Sequence, residues 1–195
     1  MLEIIELNLE RGGQKLFQNL SFQLQPGQVL QIKGANGSGK STLLQVIAGD
    51  LSTASGQVLI NGKSKLEPRE LPRELGYLPQ EVNIDFPIEV SDFLLMARPN
   101  SDVSIELSRF KLDSLSHKKV TEISLGQLQR VQLAQLIIQD PQIFLLDEPF
   151  SAQDQENINL FISIFKDLKS DGKSIILTNH ADFPMHNLVD FEINL

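Results

Sequence analysis

Gly34 to Thr42 reads GANGSGKST, and these residue types at this spacing suit one chemistry, the holding of a polyphosphate. Gly34, Gly39, Lys40 and Ser41 meet the pattern G-x-x-x-x-G-K-[S/T]. Gly34, Gly37 and Gly39 leave the backbone bare, so amide N–H groups can approach an anion that a Cβ would block. Asn36, Ser38 and Thr42 fill out the loop and the start of the helix after it. The positive end of that helix dipole faces the same anion. Lys40 is expected to reach the β/γ-phosphates and the Ser41 hydroxyl to ligate Mg²⁺. A glycine-rich turn with no ligand would not require Lys-Ser at the helix start, so the segment predicts a nucleoside triphosphate site.

The flanking elements support that placement. Val29 to Lys33 is β-branched and apolar enough for a strand, and Thr42 to Ala48 meets no helix breaker before Gly49. Upstream, Leu2, Ile4, Ile5, Leu7 and Leu9, then Leu20, Phe22 and Leu24, predict antiparallel strands around a Gly12-Gly13 turn. Pro26-Gly27 turns the chain into the strand that feeds the loop. Gly56 to Ile60 predicts a strand closed by Asn61-Gly62. A polar stretch from Lys63 to Glu74 then leads to a short strand over Leu75 to Leu78.

From Glu81 to Asp140 the pattern turns helical, with helices expected over Val90–Ala97, Ile105–Phe110 and Leu125–Ile138. The last has apolar positions at Leu128, Val131, Ala134 and Ile138, and Asp140-Pro141 stops it. Strand signals return at Ile143 to Leu146, at Ser174 to Thr178 and at Phe191 to Leu195, with a helix over Asn157 to Leu168 between the first two. The expected fold class is α/β. It has a mostly parallel core sheet, an N-terminal antiparallel β subdomain and a small inserted α-helical subdomain at about 81–140, all in one domain over residues 1–195.

Composition narrows the partners. The 195 residues are 41% hydrophobic and 22% charged, as in an ordinary soluble globular protein. A net charge of −8 disfavours nucleic acid as the main partner, because phosphate neutralisation needs a basic surface. With no cysteine there is no disulfide framework or thiolate metal site, and a cytosolic address is expected. No window nears roughly eighteen consecutive apolar residues, and the first ten carry glutamates instead of a basic leader. The chain itself is therefore expected neither to span a membrane nor to carry a secretory signal.

Five further segments, in order, make the chain resemble the nucleotide-binding domain of ATP-binding cassette (ABC) proteins along nearly its whole length. Ile143 to Pro149 (IFLLDEP) looks like a Walker B strand. Asp147 at its end would hold Mg²⁺ through water, and Glu148 would polarise the attacking water, a role typically worth about 10²–10⁴ in rate. Ile123 to Gln127 (ISLGQ) resembles the family signature LSGGQ, whose Ser124, Gly126 and Gln127 would close over the nucleotide of an opposite subunit. Ser124 also has the position of a helix N-cap, and Leu125 stands where the family usually has glycine. That departure predicts lowered but not abolished activity. Gln80 matches the family's Q-loop, Ser151 to Asp154 its D-loop and His180 its switch histidine. Asp154 has an alternative role as an N-cap. An aromatic residue usually stacks on adenine; the matching position here is Arg11, whose guanidinium stacks less well.

The resemblance implies an ATPase that binds ATP and Mg²⁺, works as a nucleotide-dependent homodimer or as a heterodimer with a related cassette, and powers separate transmembrane permease subunits. It would sit in the cytoplasm, peripheral to the inner face of the cell membrane. Asp85 to Val90 and the short lobe look similar to zinc and manganese importer ATPases, which suits divalent metal uptake. The chain stops soon after His180, so the family's C-terminal strands and helix look trimmed. The alternatives are a non-transport ABC ATPase of DNA-repair or assembly-factor type, and a small-molecule kinase. The first would carry long coiled-coil or cysteine-bearing insertions, and the second leaves the Ser124 and His180 segments unexplained.

Overall fold

The computed structural model describes residues 1–53, 55–81, 84–179, 185 and 187–195. Strand β1 (Leu2–Arg11) pairs antiparallel with β2 (Gln14–Leu24) across the Gly12-Gly13 turn and, on its other side, with β4 (Ser55–Ile60). The alternation of β1 changes phase midway: Leu2 and Ile4 are buried, Ile5 is 40% exposed, and Leu7 and Leu9 are buried again. Glu6 has a left-handed φ of 47° and the register with both neighbours shifts there, so a bulge returns the odd-numbered side chains to the core. Gly56 faces this bulge at φ 96°, where a Cβ would lie 2.5 Å from the Glu6 carbonyl oxygen. Only glycine fits there.

The second sheet has five parallel strands in the order β5 (Leu75–Leu78), β6 (Ile143–Leu146), β7 (Ser174–Thr178), β3 (Val29–Lys33) and β8 (Phe191–Asn194). Its central strands are buried on both faces, which explains their continuous apolar runs. Phe144, Leu146, Ile175 and Leu177 join one hydrophobic cluster, while Leu145, Ile176, Leu30 and Ile32 join another. The period of two along each strand divides the residues between these cores. Helix α1 (Lys40–Ala48) and the antiparallel sheet build the second cluster.

The first cluster takes α5 (Leu125–Gln139), α6 (Gln155–Ser170) and the segment holding α3 (Val90–Leu95) and α4 (Ser104–Arg109). The helical insertion thus shares a core with the parallel sheet. Phe110 meets Phe161 of α6 edge-on, with ring centroids 6.3 Å apart, and Phe150 and Phe165 lie near the same ring. Each such pair contributes about 0.5–1.5 kcal/mol beyond its buried area. Two exposed ion pairs, Arg109–Asp167 and Lys111–Glu156, join the same elements. Pairs of that kind are worth about 0–1 kcal/mol, so aromatic burial dominates the junction.

The expected strand limits hold for β3, β5, β6 and β7. Local features differ from expectation: α3 ends at Leu95 instead of Ala97, and Ile5 is exposed. The polar stretch ends in a short helix, α2 (Leu71–Glu74), started by Pro72 near its N-terminus. On α5, Gln129 is buried while Leu128 is only partly so.

Candidate functional site

The parallel strands end together, so the loops after β3, β5 and β6 gather at one edge of the sheet, where α/β proteins place ligands. The loop after β3 is the glycine-rich one. A Cβ on Gly34 (φ 156°) would lie 2.4 Å from Ser38 Oγ, and one on Gly39 (φ 105°) 3.2 Å from Leu16 Cβ. Gly34 is thus required by close approach as well as by backbone conformation, and Gly39 chiefly by its left-handed φ. Gly39 also serves as the N-cap of α1, and Lys40 opens the helix.

Lys40 is buried, and its Nζ donates to the Gly34 carbonyl at 2.9 Å and the Ala35 carbonyl at 3.2 Å. The ammonium therefore folds across its own loop. Ser38 Oγ is buried with no hydrogen-bond partner. The bare backbone amides of the loop, with the Lys40 ammonium beside them, fit an anionic ligand with oxygen acceptors.

A cavity of about 470 Å³ opens over this loop. Asn36, Gly37, Gly39, Lys40, Ser41 and Thr42 line its floor, and Arg11 and Leu16 come from the antiparallel sheet. Gln80, after β5, and Glu148, after β6, also line it. Its size falls within the range of small-molecule sites. Gln80 Nε2 donates to Glu148 Oε2 at 2.9 Å. Gly34, Ser38 and Asp147 do not line the cavity; Asp147 is 2% exposed, next to Glu148 in the chain.

One residue absent from the sequence expectations holds both acidic residues, Asp147 by its carboxylate and Glu148 by its backbone. Thr178, fully buried at the end of β7, accepts the Glu148 N–H through Oγ1 at 2.9 Å and donates that hydroxyl to Asp147 Oδ1 at 2.6 Å. Glu148 adopts a left-handed φ of 51°, a conformation that persists only where its surroundings hold it. Tyr77 lies near Asp147: burial pushes its phenol well above the ordinary range, with the negative charges of Asp147 and Asp50 adding to the shift.

The oxygen donors of Ser41, Gln80 and Glu148 meet at one cavity, which suits Mg²⁺, a hard cation that keeps several waters and takes further oxygens from phosphates. Among the described residues no cluster of three or more His, Cys, Asp and Glu forms an all-protein metal cage. His180 and His186 lie outside the described residues.

Ser124, Gly126 and Gln127 are not among the residues lining this cavity. Ser124 is the N-cap of α5 in a reciprocal capping box. Its Oγ accepts the Gln127 N–H at 3.3 Å and its own N–H donates to Gln127 Oε1 at 2.9 Å. Leu125 beside them is 62% exposed. Asp154 likewise caps α6, accepting the Asn157 N–H at 2.9 Å.

The ABC transporter family profile matches residues 17–151. The cytochrome c biogenesis ATP-binding export protein CcmA of Tatumella citrea is 34% identical over 94% of the chain and 90% of its own length. The manganese transport system ATP-binding protein MntB of Bacillus subtilis is 32% identical over 92% of the chain and 76% of its own length. A dimeric bacterial ABC transporter cassette, MJ0796, superposes with a TM-score of 0.86 over the whole chain and 94% of its own, at 24% identity, a likeness of fold.

Proposed function

The chain belongs to the ABC transporter family and is an ATP-binding, ATP-hydrolysing cassette, and from that premise we propose that two copies clamp two ATP molecules between the Lys40 loop of one and the Ser124 turn of the other. The observation that carries this reading is the single cavity shared by Lys40, Ser41, Gln80 and Glu148. Lys40 exchanges its two loop carbonyls for phosphate oxygens, so its charge is held in place before the ligand arrives. Asn36, Gly37, Ser38, Gly39 and Thr42 supply the phosphate cradle with Gly34 at its base, and Arg11 lies along the base of the nucleotide.

When bound, Mg²⁺ held by Ser41 and Gln80, with Asp147 acting through water, would offset the charge of the phosphate oxygens. Glu148 takes the proton of the attacking water, and Gln80 holds its carboxylate in the cavity. His180 we assign to the γ-phosphate and the same water. From the opposite copy, Ser124, Gly126 and Gln127 present a hydroxyl and a helix N-terminus to the γ-phosphate. Hydrolysis then leaves two separated anions in the interface and releases the clamp.

Dimerisation and permease partners are general to transporter cassettes. Among the described residues no helix is long and apolar enough to cross a membrane. We place the cassette at the cytoplasmic face, where a permease helix fits beside Gln80 against the segment from 84 to 96, which exposes Phe86 and Met96. The helical insertion at about 81–140 is the part we assign to that contact, within a single domain. For cargo we propose divalent metal uptake, supported by the likeness of Asp85 to Val90 to metal importers and by the manganese relative. CcmA, similar at about the same identity, is named for export, so cellular manganese and zinc content after deletion of the gene is the measurement for cargo. Lowered metal content supports uptake, and unchanged content rejects it.

The clamp is tested by size-exclusion chromatography of Glu148→Gln. ATP is expected to convert monomer to dimer, and a monomer at saturating ATP rejects the reading.

A further inference from the structure

Thr178 ends β7 after the aliphatic run Ile175, Ile176 and Leu177, and it is as fully buried as they are. It does not line the nucleotide cavity. A valine would fill nearly the same space and suits a strand as well. Burial of a hydroxyl at such a position is unfavourable unless its proton and a lone pair both find partners. Here both do, and on consecutive residues: the proton goes to Asp147 Oδ1 at 2.6 Å, and the oxygen accepts the Glu148 N–H at 2.9 Å.

The Asp147-Glu148 pair is thereby pinned from both neighbours of β6. On the β5 side the Leu78 carbonyl accepts the Asp147 N–H at 2.8 Å, and on the β7 side Thr178 takes the next N–H. The bond to Oδ1 fixes the rotation of the Asp147 carboxylate and leaves its second oxygen for other donors. The bond to the Glu148 amide helps to hold that residue at its left-handed φ of 51°, a conformation that surroundings must impose on a side chain of this size. Gln80 grips the other end of Glu148, its carboxylate, at 2.9 Å. Glu148 is therefore fixed by β7 at its backbone and by the loop after β5 at its side chain.

We infer that Thr178 is a positioning residue for hydrolysis, whose one hydroxyl sets both the Asp147 carboxylate and the Glu148 backbone; this rests on the metal and water roles proposed above for those two acids. Thr178 itself touches neither nucleotide nor cation. It supplies a proton donor to Asp147 and an acceptor to Glu148, so the oxygen and not the side-chain shape carries the role. Serine keeps both bonds and loses only a methyl group, whereas valine keeps the shape and loses both bonds. Partners of this kind, one step removed from the metal, typically matter by about 10–100-fold in metal affinity or activity.

The test compares Thr178→Val and Thr178→Ser in the full chain. Thr178→Val is expected to lower kcat about 10–100-fold, with KM for ATP at saturating Mg²⁺ within about twofold. Without turnover, in a Glu148→Gln background loaded with ATP, Mn²⁺ titration followed by electron paramagnetic resonance should show affinity weakened about tenfold by Thr178→Val. Thr178→Ser should stay within about threefold of wild type in kcat and Mn²⁺ affinity, even where its Tm falls. Should Thr178→Val fail to fold, Thr178→Cys, a weak donor and acceptor in the same space, replaces it with the same expected loss of Mn²⁺ affinity. Wild-type kcat or unchanged Mn²⁺ affinity in the valine variant overturns the inference, and so does a serine variant as impaired as the valine one. Asp147→Asn separates the two layers. If it leaves Mn²⁺ affinity intact, the metal role of Asp147 fails and the role of Thr178 with it; if it weakens Mn²⁺ binding and Thr178→Val does not, only the role of Thr178 falls.

Discussion

Gln80 and Glu148 stand 68 positions apart in the chain, yet Gln80 Nε2 donates to Glu148 Oε2 at 2.9 Å. The strands that carry them, β5 and β6, are direct neighbours in the parallel sheet, and their shared register brings both loops to one edge. The bond has an orienting role: it fixes the rotation of the carboxylate while leaving it on the cavity wall. A hydrogen bond to a charged group contributes about 1.5–3 kcal/mol, which is about 10–150-fold in rate if lost only in the transition state. Gln80→Leu is therefore expected to lower kcat by about that factor with KM for ATP nearly unchanged, read by steady-state phosphate release. A rise in KM at constant kcat would show that Gln80 binds nucleotide instead.

Among the described residues, Lys40→Ala removes the only lysine lining the cavity. Hydrolysis should fall to background, and ATP affinity should fall with it, measured by equilibrium titration. Because Lys40 Nζ is held by two carbonyls of its own loop, the substitution also loosens the empty loop. Full activity in this variant would refute the phosphate-loop assignment.

The Ser124 turn separates two adjacent positions by their surroundings. Gly126→Ala forces a methyl against the Ala152 carbonyl, an overpacking that costs about 1–3 kcal/mol and should lower Tm. Leu125 is exposed, so Leu125→Gly costs stability only through helix propensity, about 1 kcal/mol. It removes an apolar side chain from the face that the proposed clamp turns toward the partner's nucleotide. We predict faster hydrolysis for Leu125→Gly, and a slower variant would mean that the leucine packs productively in the dimer.

Tyr77 is the chain's single tyrosine, and the chain has no tryptophan, so alkaline titration of near-ultraviolet absorbance reads this residue alone. Burial and the charge of Asp147 raise its folded value, whereas the unfolded value is about 10. A raised value means that the neutral phenol contributes stability fully below about pH 10, lost as pH rises through the folded value. The native midpoint should lie well above that in guanidinium, and Tyr77→Phe should keep a Tm less sensitive to alkaline pH. Coincident midpoints would contradict the burial of this hydroxyl.

Much of this arrangement is legible in the sequence because it depends on local rules. The apolar runs of β6 and β7 reflect burial on both faces, and the glycines of the phosphate loop answer to the positive φ values of the loop's own backbone. Capping by Ser124 and Asp154 is equally local, since each side chain bonds an amide three positions on. The parts that escape sequence reading depend on distant partners. Thr178 looks like one more β-branched strand residue, and only the packing of β7 beside β6 brings its hydroxyl to Asp147 and Glu148. Gln129 falls one position from the expected apolar Leu128, and its burial is tolerated because Glu148, Ser151 and Gln153 satisfy its amide. The Glu6 bulge leaves a trace in the switch from even to odd apolar positions, a cue visible in Ile4, Ile5 and Leu7 themselves.

The most direct test is a crystal structure of Glu148→Gln with ATP and Mg²⁺. It is predicted to show two copies facing each other, with Lys40 Nζ of one and Ser124 Oγ of the other on the same γ-phosphate. Nucleotide seated on the Lys40 loop with every Ser124 turn remote from it would contradict the account.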